Sequence, residues 1–357
     1  MGFGKTAGAV LEEEILPFLA FSLREPLRRL PAEVKEDLLE IRLRLGRMVM
    51  LVKADGDLAL PGSPCLDQAA MDQTLQFLTQ SSFYAREEEL RQGFITLPGG
   101  HRVGMVGRAV LEQGRIRTLK HISGLNIRLA RQVLGAADSV LPYLVENGEF
   151  LSTLIISPPG AGKTTLLRDL IRQVSTGVPL LGLKGHKVGV VDERSELAAS
   201  YLGVPQNDVG PRTDVLDGAG KAEGIMLLLR SMSPEVIATD EVGSRADVAA
   251  LEEALVSGVR LIATAHGHGI KDLSRRPFLR GLIARGLFNR IVCLGNSCGP
   301  GTVEEIRSGD GLKLLGPSKQ VKGKEMADAL QADRSVAFGL RYGERRIYSC
   351  PPIRGAS

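Results

Sequence analysis

Thr153–Val174 reads TLIISPPGAGKTTLLRDLIRQV, and the order of its parts decides the fold. Thr153–Ile156 is an apolar, β-branched run of the kind buried in a parallel sheet. Leu166, Leu167, Leu170, Ile171 and Val174 recur at the spacing of one helix face. Strand, Gly-rich turn and helix in this order make a phosphate loop. Gly160 and Gly162 let the backbone turn its N–H groups inward, and the helix start adds the positive end of its dipole. The cradle runs Ser157, Pro158, Pro159, Gly160, Ala161, Gly162, Lys163, Thr164 and Thr165. Lys163 is expected at the β- and γ-phosphates of ATP, and the Thr164 hydroxyl on Mg²⁺. Ser157 stands where the usual pattern opens with Gly, and Pro158-Pro159 stiffen the next two positions, which weakens the match without excluding it. A second string, Gly4-Lys5-Thr6, has no strand before it and reads as a disordered start.

The 357 residues allow one to three domains with a substantial core. Hydrophobic residues at 43% and charged residues at 24% are the proportions of a soluble globular chain. A net charge of +4 does not by itself suggest nucleic acid. Ten Phe, five Tyr and no Trp offer few platforms for stacking bases, so no nucleic-acid partner is expected. No apolar run is long enough to span a bilayer, and Glu12, Glu13 and Glu14 fall where a signal peptide carries its apolar core. The expectation is a cytoplasmic chain without direct membrane insertion. Cys65, Cys293, Cys298 and Cys350 lack paired CxxC spacing, which indicates neither a zinc site nor a disulfide framework.

Residues 1–150 lack the strand–helix rhythm of the second half of the chain. Leu11–Leu30, interrupted by Pro17, and Asp67–Ser81 read as helices. Ile41–Leu45, Met48–Lys53, Phe94–Leu97, Arg102–Val110 and Ile122–Leu129 read as strands, with Pro98-Gly99-Gly100 as a hairpin turn. This is a small α+β N-terminal domain with an antiparallel sheet, ending at Asn147-Gly148-Glu149. Residues 151–315 alternate strands Thr153–Ser157, Lys187–Asp192, Val236–Thr239, Arg260–Ala265 and Arg290–Leu294 with helices. The fold class is α/β, a RecA-like P-loop NTPase core with a mostly parallel sheet covered on both faces. Residues 316–357 form a linker and a C-terminal appendix.

In parallel sheets ligands gather at the carboxyl ends of strands. Val236–Thr239 runs into Asp240-Glu241 and looks like a Walker B strand, although Thr239 is polar where an apolar residue is usual. Asp240 is expected to hold Mg²⁺, and Glu241 to orient or deprotonate the attacking water. Lys187–Val191 runs into Asp192-Glu193-Arg194, whose acids serve equally well as helix-start caps. Arg260–Ala265 runs into His266-Gly267-His268, where the His266 imidazole is placed to sense the γ-phosphate.

The strings SPPGAGKTT, VGVVDERSE, LLLRSMSPEVIATDE and ATAHGHG, in this order, resemble the Walker A, Asp-box, Walker B and His-box elements of the secretion ATPase superfamily. Within that group EIRLRLGR, EEELRQGFITLPGGHRVGMVGRAV, LNIRLAR, VVDERSELAASYLGVPQNDVGPRTDVLDG and KAEGIMLLLRSMSPEVIATDE look like the stage III sporulation protein AA family, over Ile15 to Leu315. The resemblance implies that Glu193 and Glu241 share water activation and that His266 is the sensor. It implies a homo-oligomeric, hexameric ring with ATP between subunits, and arginines reaching a neighbour's γ-phosphate. Arg102, Arg108 and Arg128 lie in matching strings and are the candidates, with ordinary solvated charges as the alternative. It implies membrane channel proteins of a sporulation complex as partners, with the chain peripheral at the membrane through them. The role implied is that of the mother-cell ATPase of the mother cell–forespore channel, powering or gating assembly or transport. Two other classes compete: a RecA-type nucleic-acid-dependent ATPase, and a scaffold that binds nucleotide without hydrolysing it.

Overall fold

The computed structural model describes residues 6–53, 55–63, 65–79, 93–112, 114–269, 272, 281, 285–310 and 313–315. Gly4 and Lys5, the string 87–92 and the appendix 316–357 lie outside the described residues. The chain divides into two units, Met1–Arg131 with Ala199–Asn207, and Gln132–Ala198 with the chain from Asp208 onward.

The first unit holds α1 (Ala7–Val10), α2 (Phe21–Arg28), α3 (Ala32–Asp37) and α4 (Gln68–Leu78). Its strands are β1 (Leu38–Arg44), β2 (Met50–Lys53), β3 (Gly56–Ala59), β4 (Phe94–Thr96), β5 (Arg102–Glu112) and β6 (Arg115–Arg128). Thr6 caps α1 by accepting the Ala9 N–H at 3.2 Å. The strands pair antiparallel in the order β3-β2-β1-β6-β5-β4. Alternation in β1 buries Ile41 and Leu43, an irregularity between Leu38 and Glu40 lets Leu38 be buried too, and all three join Val103, Ile127, Leu23, Leu27, Met71 and Leu78 in one core. The Pro98–Gly100 turn links β4 to β5 as expected, and Gly100 has a second reason to be glycine. Its φ is +80°, and a Cβ there would lie 2.7 Å from the Ala199 Cβ. Beside it the Gly99 N–H donates to Gln206 Oε1 at 2.8 Å, so Ala199–Asn207 is held against this turn.

In the second unit a short hairpin, β7 (Val145–Glu146) and β8 (Glu149–Phe150), precedes the main sheet. Asn147 and Gly148, expected to mark a boundary, form its tip with φ of +53° and +77°. Asn-Gly is a hairpin signal because both residues tolerate positive φ. Ala137, Val140, Leu141, Leu144 and Phe150 pack with Ile155, Leu167 and Leu170, so the units part at residue 131 rather than at 150.

The main sheet contains β9 (Thr153–Ser157), β10 (Val188–Asp192), β11 (Thr213–Asp217), β12 (Val236–Thr239), β13 (Arg260–His266), β14 (Arg290–Gly295), β15 (Thr302–Ser308) and β16 (Lys313–Leu315). Their order is β11-β10-β12-β13-β9-β14-β15-β16, parallel from β11 to β14 and antiparallel beyond. α5 (Lys163–Thr176), α6 (Lys221–Ser231) and α7 (Arg245–Val256) accompany it. Successive residues of β9 divide between two cores. Ile155 packs with Leu166, Leu167 and Leu170 of α5, while Leu154 and Ile156 pack with Ile225, Leu228 and Leu251 of α6 and α7. The sheet is thus covered on both faces, as its apolar strands require. Among the described residues no helix is long and apolar enough to cross a membrane.

Candidate active site

β9 lies between β13 and β14, so the loop leaving its carboxyl end is flanked on both sides. Ser157 is the last residue of β9 and fully buried. Its backbone stays extended, and the positive φ values fall on Gly160 (+72°) and Gly162 (+83°). Serine at the first position therefore costs the turn nothing. A Cβ on Gly160 would meet nothing within 4 Å, whereas one on Gly162 would press the Gly301 backbone at 3.1 Å. Gly301 also donates its N–H to the Ala161 carbonyl at 3.1 Å, bracing the loop from beyond β14. α5 starts from Gly162 without a side-chain cap, which leaves its first N–H groups directed at the loop's concavity. A backbone cradle at a helix N-terminus fits a phosphate.

Around this loop the expected residues converge. Lys163 Nζ donates to Glu241 Oε1 at 2.5 Å and lies 3.9 Å from Asp240 Oδ1. Thr164 Oγ1 donates to Asp240 Oδ2 at 3.0 Å, so two hard oxygen donors of the kind Mg²⁺ takes stand together. Thr239 is buried and donates to the Val191 carbonyl of β10 at 3.3 Å, which explains a hydroxyl in an apolar strand. Glu241 adopts φ +54°, a left-handed conformation rare for a residue with a Cβ. Its N–H is held by Thr264 Oγ1 at 2.8 Å and Asp240 Oδ1 at 3.0 Å, while Thr264 itself donates to Asp240. His266 Nε2 lies 2.8 Å from Glu241 Oε1, and Arg194 Nη1 donates to Glu241 Oε2 at 3.0 Å. Burial alone would raise the Glu241 carboxyl. The hydrogen bond and charge of Lys163, with His266 and Arg194, outweigh burial and hold it below the ordinary carboxylate value.

The acids after β10 take two roles. Asp192, 2% exposed, accepts the N–H of Glu196 at 2.8 Å, Leu197 at 3.0 Å and Ala198 at 2.8 Å. Burial drives its carboxyl up, against the pull of these three donors. It is the frame of a loop, not the cap of a helix: residues 193–200 turn without forming the helix start that the capping alternative supposed. Glu193 faces a cleft lined by Asp192, Glu193, Arg194, Glu196, Lys221, Asp240 and Glu241, and is ion-paired with Lys221. Arg168 of α5, which no sequence motif marks, donates Nε to the Leu197 carbonyl and Nη2 to that of Glu196, both at 2.6 Å. Burial lowers its guanidinium, and Asp192, Asp240, Glu196 and Asp169 offset part of that cost. Arg168 sits one helical turn beyond Thr164 and ties the acidic loop to the phosphate helix. Asp192→Asn would turn an amide NH₂ toward the Leu197 and Ala198 donors. The expected cost is roughly 2–4 kcal/mol of stability, read as a lower urea midpoint at unchanged slope. A wild-type midpoint would mean the loop is not held by this carboxylate.

The candidate arginines all lie in the first unit. Arg102 lies over the Phe94 ring, 4.8 Å from its centre, and Arg128 Nε pairs with Glu40 at 3.1 Å. Arg108 is exposed on β5, directly opposite Lys120 of β6.

The family model for sporulation stage III, protein AA matches residues 10–314. The chain belongs to the stage III sporulation protein AA family. The family's member from Bacillus subtilis (strain 168), stage III sporulation protein AA, is 45% identical over 298 residues, 84% of this chain and 95% of that protein. Two solved structures share the fold. The Legionella pneumophila ATPase DotB matches with a TM-score of 0.51 at 15% identity, over 88% of this chain and 86% of that one. The pilus retraction motor PilT, solved with bound ADP, matches with a TM-score of 0.52 at 14% identity, over 91% and 89%. This family member thus has the fold of secretion ATPases, with the phosphate loop, the Asp240-Glu241 pair and His266 gathered at one sheet end.

Proposed function

We propose that the chain hydrolyses ATP as a homo-oligomeric, hexameric motor that powers or gates the assembly of, or transport through, a sporulation channel. It works in the cytoplasm and docks at the membrane through channel proteins. The observation that carries this reading is the convergence of Lys163, Thr164, Asp240, Glu241 and His266 on one loop at the carboxyl end of a parallel sheet. A bare nucleotide-binding scaffold needs the cradle and the Lys163 cation, but not a carboxylate poised beside them.

The chemistry derives from the donor set. The loop N–H groups and Lys163 bind the β- and γ-phosphates, and Thr164 and Asp240 hold Mg²⁺, which supplies charge neutralisation when bound. Lys163 exchanges its Glu241 partner for phosphate as the nucleotide enters. Glu241 then keeps His266, 2.8 Å from its Oε1, and its carboxylate accepts a hydrogen bond from the attacking water. Glu193, across the same cleft, shares in orienting that water.

Glu241→Gln preserves shape but removes the charge that takes the proton. The variant is expected to bind ATP at least as tightly as the parent and to hydrolyse it roughly 10²–10⁴-fold more slowly. Single-turnover assays with radiolabelled ATP would show a persistent, unhydrolysed complex. Parent-like turnover would move the base elsewhere, with Glu193→Gln as the next variant to assay.

A further inference from the structure

Three groups converge on the Glu241 carboxylate: Lys163 Nζ at 2.5 Å and His266 Nε2 at 2.8 Å on Oε1, and Arg194 Nη1 at 3.0 Å on Oε2. An internal anion held by a lysine, an imidazole and a guanidinium marks a site built for oxyanions. Lys163 belongs to the phosphate loop, so the other donors stand where the outermost phosphate of a nucleoside triphosphate arrives.

Arg194 is fitted to follow that phosphate. Its side chain is 66% exposed, while its backbone is fixed. It leaves β10 between Asp192, which is pinned by three backbone N–H groups, and Ser195, whose hydroxyl donates to Asp217 Oδ1 at 2.7 Å. The cleft it enters carries five carboxylates, Asp192, Glu193, Glu196, Asp240 and Glu241, against Arg194 and Lys221. Lys221 is engaged by Glu193. A triphosphate terminus entering so acidic a cleft needs added positive charge, and a guanidinium fork matches two phosphate oxygens at once.

We propose that Arg194 is the chain's own γ-phosphate arginine, released from Glu241 when nucleotide binds, and that it makes the site prefer a nucleoside triphosphate over a diphosphate. This rests on the nucleotide-binding reading above, and the test separates the two. Binding of ADP and of a non-hydrolysable ATP analogue, each with Mg²⁺, would be measured by calorimetry on the full chain and on Arg194→Ala, Arg194→Lys and Lys163→Ala. Arg194→Ala should keep ADP affinity within about twofold and lose roughly tenfold or more for the analogue, the scale of a charge-assisted hydrogen bond. Arg194→Lys should fall between. An arginine that merely steadied Glu241 would lose its effect once that charge is gone. The same comparison in the Glu241→Gln background therefore decides the role: a further loss of analogue affinity on adding Arg194→Ala supports phosphate contact. Equal triphosphate preference with and without Arg194 overturns the proposal while leaving nucleotide binding intact. If the unaltered chain binds neither nucleotide, or Lys163→Ala binds both as the parent does, the underlying reading fails instead.

Discussion

Lys163→Ala is expected to lose ATP turnover by at least about a hundredfold, the loss seen when one preorganised charge donor is removed from a transition state. Three features set the size of this effect. The ammonium is nearly buried, so it acts in a low dielectric and is not screened like a surface charge. It stands at the start of α5, where the loop's N–H groups supply direction but only partial charge. It also partners Glu241, so its removal relaxes the pull that keeps that carboxyl low. This fixes the sign on stability. A depressed Glu241 stabilises the fold above its unfolded value and loses that contribution as pH falls through the folded one. Lys163→Ala should therefore flatten the acid limb of stability as well as cost ATP affinity. Equilibrium binding and steady-state hydrolysis, with circular dichroism to confirm folding, check the outcome. Hydrolysis at the parent rate would remove the phosphate-loop reading.

How much of the fold and site is legible in the sequence depends on range along the chain. The phosphate loop is local, because its strand, two positive-φ glycines and helix lie within Thr153–Val174, so pattern alone locates it. Asp240-Glu241 and His266 are legible because strand ends are where parallel sheets place chemistry. Arg168 and Arg194 are not. Their roles are hydrogen bonds to Leu197 and Glu196 across 29 and 28 positions, and to Glu241 across 47, which no periodicity announces. β11, TDVLD, carries two aspartates and is only half-buried, so it lacks the apolar run that marks its neighbours. The antiparallel β15 and β16 likewise fall outside the expected strand–helix rhythm. Asn147-Gly148 reads as a domain boundary although it tips a hairpin. The return of Ala199–Asn207 to the first unit depends on a glycine, Gly100, that is sufficient as a turn residue. Composition cannot separate a glycine that turns from one that also makes room.

Changing Arg102, Arg108 and Arg128 together to Ala is expected to leave ATP binding intact and reduce hydrolysis by roughly three to five orders of magnitude, the worth of an arginine supplied in trans. The proposal behind this is that the first unit of one subunit completes the site of the next. The three residues are unequal. Arg128 is committed to Glu40 and Arg102 lies over Phe94, contacts that give each a resting place. Arg108 faces Lys120 across the ladder, and like charges directly opposite destabilise a sheet. Two cations set side by side on an exposed hairpin call for an anion from outside, so restoring Arg108 alone should recover most of the rate. Arg128 is exposed, so its pair with Glu40 is worth about 1 kcal/mol or less and the triple variant should still fold. The decisive measurement mixes this variant with Lys163→Ala, each inactive alone. The first keeps an intact phosphate loop, and the second keeps its arginines. In a ring with head-to-tail interfaces, random mixing pairs them correctly at about a quarter of the sites. Turnover should reappear to that order, and should do so only at concentrations where subunits assemble. A triple variant that hydrolyses ATP at the parent rate would return all three arginines to the role of solvated strand charges.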